Sequence, residues 1–126
     1  NLLLPFREQD ALEELVTTYD VMVDNDFEAA KHLLDEPGFL DEVMALDPYT
    51  VKGHYFPDYH VIWISDKQSP KEMDITLIHE FLHAFCDDTE INHYVTHKEI
   101  EGEAQIIVRA DYNVVRYIKT YYDLRW

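Results

Sequence analysis

The stretch over residues 69–86 constrains this chain most. Ser69 stands where a helix needs its N-cap, Pro70 falls in the first turn, and Glu72 follows three residues after the cap. That is the pattern of a capping box with proline at the start of a helix. Leu77, Ile78, Phe81, Leu82, Ala84 and Phe85 then supply apolar packing, interrupted by His79 and His83. Such a helix needs a core to pack on. With 126 residues, 47% of them apolar, and only three glycines and five prolines, the chain can bury one, and a single domain over residues 1–126 is expected.

The remaining elements follow from periodicity. Leu12, Leu15, Val16, Tyr19, Val21 and Val23 recur at a mostly helical spacing up to Asp24-Asn25-Asp26, which predicts a first amphipathic helix. Asp26 is placed to cap a second, shorter one through Ala29, Ala30, Leu33 and Leu34, ending before Pro37-Gly38, and residues 39–46 read as another. Residues 51–56 and 59–64 are β-branched and aromatic, separated by Pro57-Asp58, and predict a hairpin over about residues 51–65. A polar connector over residues 87–96 leads to a last long helix from about residue 97 to 121. The expected class is α+β: a mainly helical domain with a small β-sheet packed beside the helix of residues 69–86.

His79-Glu80-Phe81-Leu82-His83 lies inside that helix. Residues four apart stack one above the other, so the two imidazoles converge on one point, the geometry of two zinc ligands. Glu80 lies about 100° around the helix from His79, beside the metal position, where it can take a proton from the attacking water. With seven histidines and twelve glutamates, this pattern arises by chance in roughly one such chain in thirty, so its helical and apolar context has to carry the reading.

A catalytic zinc has three protein ligands and an open fourth position. Downstream candidates are His93, His97, Glu99, Glu101 and Glu103. In the last helix Ile100, Ala104, Ile107, Val114 and Ile118 form the apolar stripe, with Glu101 and Gln105 toward the polar face. Glu103, three residues after Ile100 and one turn before Ile107, is therefore directed inward, where a metal would offset the cost of a buried charge. Glu99 is the second choice. An oxyanion calls for a further donor, and His93, Tyr94 and His97 are the candidates that the connector can bring over the metal.

These segments resemble the glutamate-zincin metallopeptidases, and within them the ImmA/IrrE-like family. The matching pieces are Val61-Ile62-Trp63-Ile64-Ser65, Thr76-Leu77-Ile78-His79-Glu80-Phe81-Leu82-His83-Ala84-Phe85 and Glu99-Ile100-Glu101-Gly102-Glu103-Ala104-Gln105. The resemblance implies a zincin-like metallopeptidase domain with zinc on His79, His83 and Glu103, and with Glu80 activating water. It also implies a regulatory protein, such as a repressor of mobile elements, as substrate. Leu82 stands where the family commonly has glycine, and Ile106-Ile107-Val108-Arg109-Ala110 replaces its Phe-Ala-x-x-Leu-like segment. A SprT-type alternative would ligate through His93 or His97 but lacks its usual His-Gly pair, and metzincin spacing fails because Thr89 occupies the third histidine position.

Charge bounds the partners. The 26 acidic and 10 basic residues give a formal charge of −16, spread along the chain. Such a field disfavours direct nucleic-acid binding and adhesion to anionic membranes, and steers a basic protein or peptide toward the surface. Cys86 is the only cysteine, and no apolar stretch is long enough for a signal or a membrane span, so a cytoplasmic protein is expected. The alternative function is an acidic protein-binding module or inhibitor with a structural or vestigial metal site. Glu80 argues against it, because a structural site has no use for a base.

Overall fold

The capping box expected at residue 69 forms in the computed structural model, which describes residues 1–126. Ser69 Oγ accepts from the Glu72 N–H at 3.2 Å, and Glu72 Oε1 accepts from the Ser69 N–H at 3.1 Å. The elements in chain order are a 3-10 turn (Leu4–Arg7), α1 (Gln9–Thr18), β1 (Asp20–Val23), a 3-10 segment (Phe27–Leu33), α2 (Phe39–Met44), β2 (Gly53–Phe56), β3 (Val61–Ile64), α3 (Pro70–Asp88), a 3-10 turn (Asn92–Tyr94), α4 (His97–Ala110) and α5 (Tyr112–Tyr122). The class is α+β, with helices around a three-stranded mixed sheet.

The sheet runs β1-β3-β2. β2 and β3 make the expected antiparallel hairpin, with Phe56 opposite Val61 and Gly53 opposite Ile64. β1 lies on the other side of β3, parallel to it, from Asp20 opposite Val61 to Val23 opposite Ile64. The extent of the first helix is corrected here. The first helix stops at Thr18, and Tyr19 turns extended at φ −109°, ψ 143°. Residues 20–23 become a strand because alternate side chains then enter different cores: Val21 joins the larger one and Met22 the smaller. β3 is the central strand, with all four residues buried. It offers no edge to a peptide; the edge strands are β1 and β2.

One face of the sheet packs on α3, with Ile62 and Ile64 in a core shared with Leu15, Leu77, Phe81, Ile107 and Ile118. Fully burying each such side chain contributes about 1.5–3 kcal/mol before conformational entropy is counted. The other face, through Met22, Val61 and Trp63, is covered by Ala30, Leu33, Phe39 and Val43. Residues 27–33 are 3-10 with a kink at Ala30 (φ −139°, ψ 31°), not a capped α-helix, and Asp26 makes no side-chain cap. The last helix is two: Asp111, at φ −141° and ψ 55°, divides α4 from α5, so that α5 can turn back onto α1 and α4. α3 is pinned near its start, where buried Asp74 accepts from Tyr112 Oη at 2.7 Å and Trp126 Nε1 at 2.8 Å and pairs with Lys119 Nζ at 3.2 Å. No helix is long and apolar enough to cross a membrane.

Candidate metal centre

His79 and His83 sit one turn apart in the middle of α3, on the flank that meets α4. The first turn of α4 carries a second capping box: Thr96 Oγ1 accepts from the Glu99 N–H, and Glu99 Oε1 from the Thr96 N–H, both at 3.1 Å. This fixes the start of α4 so that His97, its first residue, reaches the α3 pair. His79 Nε2 lies 3.1 Å from His97 Nε2 and 3.1 Å from His83 Nε2. One nitrogen from each of the three rings falls within 4.8 Å of the others.

On the far side of its ring, His79 Nδ1 donates to Glu101 Oε2 at 2.5 Å. A carboxylate can only accept, so the proton is on Nδ1 and Nε2 presents a lone pair. One in-plane lone pair cannot satisfy two further ring nitrogens. Tetrahedral nitrogen ligands 2.0–2.1 Å from zinc are about 3.3 Å apart, close to the 3.1 Å spacings of this cluster. Spacing and donor type therefore both fit a small cation that favours imidazole. Burial holds His79 below its ordinary pKa against the opposing pull of Glu101, and burial with the neighbouring imidazoles takes His83 down to about 4. Both rings are thus neutral at pH 7, the form that ligates a metal.

Glu80 is 8% exposed and lines a cavity of about 350 Å³ together with Gly53, Ile75, Thr76, His79 and Glu101. Burial, then the charge of Glu101, pushes its carboxyl up to about 8; a cation at the histidines would favour the ionised form. Gly53 of β2 permits this arrangement. A Cβ there would lie 2.4 Å from Thr76 Cγ2 and 3.2 Å from Glu80 Oε2. The strand therefore approaches Glu80 by its bare backbone.

The structure brings together His79, His83 and His97, with Glu80 beside them. It does not bring Glu103 into this group. Glu103, 6% exposed, pairs with Arg7 Nη2 at 2.9 Å and lines a separate cavity with Leu2, Leu3 and Tyr94. Glu99 is committed to the Thr96 capping box. Glu101, expected in solvent, bonds His79 instead. The reason is helical: His97 and Glu101 lie about 40° apart on α4, whereas Glu103 is about 160° from Glu101, across the apolar stripe of Ile100, Ala104 and Ile107. Both carboxylates flank that stripe, but one flank faces the α3 histidines and the other faces Arg7. His93 and Tyr94 lie exposed on the 3-10 turn and do not join the cluster. Glu101 stands among the downstream candidates but is assigned to the polar face there, and Gly53 carries no expectation from the sequence. The i, i+4 spacing of His97 and Glu101 was the available signal for the first; a lone glycine beginning a strand was the signal for the second.

The Peptidase_M78 model, described as an IrrE N-terminal-like domain, matches residues 34–117. No curated protein and no solved structure matches the chain. The matched span is 84 of 126 residues and contains β2, β3, α3 and α4 entire, hence every group of the histidine cluster. On that extent of match, the chain belongs to the Peptidase_M78 family of IrrE N-terminal-like domains.

Proposed function

We propose that this chain is a zinc-dependent peptidase in which His79, His83 and His97 hold the metal and Glu80 is the general base. The observation that carries the reading is the convergence of three Nε2 atoms, two from α3 and one from α4, beside the buried Glu80 carboxylate of α3. Zinc, when bound, supplies Lewis acidity to the scissile carbonyl and to the attacking water. The chain's own residues do the rest. Glu80 takes the proton on a carboxylate oxygen and delivers it to the leaving amine. The burial that desolvates Glu80 strengthens each charge interaction at the site.

Substrate positioning falls to β2. Its free edge borders the Glu80 cavity at Lys52 and Gly53, so an extended peptide paired there would run past the base. The charge of −16 favours a basic segment as substrate, and the family resemblance implies a regulatory protein such as a repressor, in the cytoplasm. The alternative, an acidic binding module with a structural metal, has no task for Glu80.

Metal content and cleavage of extended, lysine- and arginine-containing fluorogenic peptides test this together. The purified protein should hold about one zinc, and His97→Ala should lose it. Glu80→Gln should keep the metal and lose about 10²–10⁴-fold in cleavage rate, the usual contribution of a positioned base. Undiminished cleavage by Glu80→Gln, or a wild type that takes up no zinc, would overturn the reading.

A further inference from the structure

We propose that Glu101 is the positioning residue of this centre, holding the His79 ring in the one tautomer and orientation that aim Nε2 at the other two imidazoles. The inference rests on the metal-site reading above and adds a residue to which the family match assigns no role. Its basis is geometric. The two nitrogens of an imidazole point away from each other, and Glu101 Oε2 takes Nδ1 at 2.5 Å while His97 and His83 meet Nε2. Glu101 therefore stands across the ring from the point where the three nitrogens converge.

The environment makes that contact hard to replace. The His79 side chain is 9% exposed, so water has little access to its Nδ1–H, whereas the Glu101 side chain is 41% exposed. Glu101 is itself located by the helix. It lies one turn beyond His97, and Gln105 Nε2, one turn further, reaches its other oxygen at 3.4 Å. α4 thus delivers a ligand and the partner of a ligand from a single face: His97 meets His79 on its metal side and Glu101 on its outer side. A carboxylate behind a ligating histidine fixes the ring and raises its basicity, and loss of such a partner typically costs 10–100-fold in metal affinity.

The experiment compares wild type, Glu101→Gln and Glu101→Ala by zinc affinity in chelator competition, by the visible spectrum after cobalt substitution, and by ¹⁵N-detected imidazole tautomers. Circular dichroism checks that each variant is folded. Glu101→Ala should bind zinc about 10–100-fold more weakly and lose the protected Nδ1–H signal of His79. Glu101→Gln, whose amide oxygen still accepts from Nδ1, should keep that signal, most of the affinity and the wild-type cobalt spectrum.

Unchanged affinity and tautomer in Glu101→Ala would overturn the proposal. So would an equal loss in Glu101→Gln with an altered cobalt band, which would make Glu101 a ligand. If the wild type takes up no metal, the peptidase reading falls; the tautomer comparison on the metal-free protein still decides whether Glu101 sets the His79 ring.

Discussion

Glu103 lies in the matched segment and is buried, yet its partner is Arg7, and substituting Arg7 separates a structural carboxylate from a metal ligand. Arg7→Met keeps most of the apolar stem and removes the guanidinium. Glu103 would then be a carboxylate with 6% of its side chain exposed and no cation at 2.9 Å. Breaking a buried pair from one side costs about 3–5 kcal/mol. The Arg7 side chain is 24% exposed, so screening by solvent lowers the expectation to about 2–4 kcal/mol. Its second contact, to Asp111 at 3.6 Å with 35% of the acid exposed, adds little. For a domain of this size, the loss corresponds to a fall in Tm on the order of 10 °C. The double variant Arg7→Met/Glu103→Gln, with no charge left to strand, should recover at least about 1 kcal/mol relative to the sum of the single effects. Thermal and urea melts of the four proteins, with zinc analysis of each, make the measurement, and all four should retain the metal. An Arg7→Met cost below about 0.5 kcal/mol, within the range of an ordinary surface change, would refute the argument. A Glu103→Gln protein that melts like wild type but lacks zinc would refute it too, and would return Glu103 to the ligand set.

Two further expectations follow from contacts around α3. In Gly53→Ala the new methyl would sit 2.4 Å from Thr76 Cγ2 and 3.2 Å from Glu80 Oε2, so stability should fall by about 1–3 kcal/mol and peptide cleavage should drop with it; wild-type melting and cleavage would show that the strand yields freely. Cys86 is fully buried, and burial, then the charge of Asp87, pushes its thiol up to about 11. The folded state therefore favours the protonated thiol: the stability this contributes is present below the unfolded thiol pKa of about 8.5 and is lost as pH rises from there toward 11. A thiol reagent at pH 8 should label Cys86 slowly until urea is added, and rapid native labelling would contradict the burial.

What the sequence made legible was local. Ser69, Pro70 and Glu72 announce α3 because all the groups of a capping box lie within four residues, and the aromatic and β-branched runs announce the hairpin for a similar reason. β1 was not legible: Val21 and Val23 continue the spacing of α1, and the partner that makes them a strand is 41 positions away at residues 61–64. The break at Asp111 carries no glycine or proline, and it exists because α5 has a surface on α1 and α4 to cover. At the candidate site, His79, Glu80 and His83 could be singled out from one helix. The choice among His97, Glu101 and Glu103 could not be made in the same way, because periodicity locates the apolar stripe of α4 without saying which flank faces α3. Arg7, 96 residues before Glu103, is what occupies the other flank.

The parallel pairing of β1 with β3 has a consequence for the cost of assembly. Phe56 and Val61 meet across five positions and Asp20 and Val61 across 41. On the scaling of (3/2)RT ln n, closing the second loop costs about 2 kcal/mol more than closing the first. The hairpin is thus joined by a short closure and His79 meets His97 across 18 positions, whereas β1 must be recruited over a longer separation. The half that holds the histidine cluster closes over the shorter loops of this topology, and the N-terminal strand joins the hairpin across the longer one.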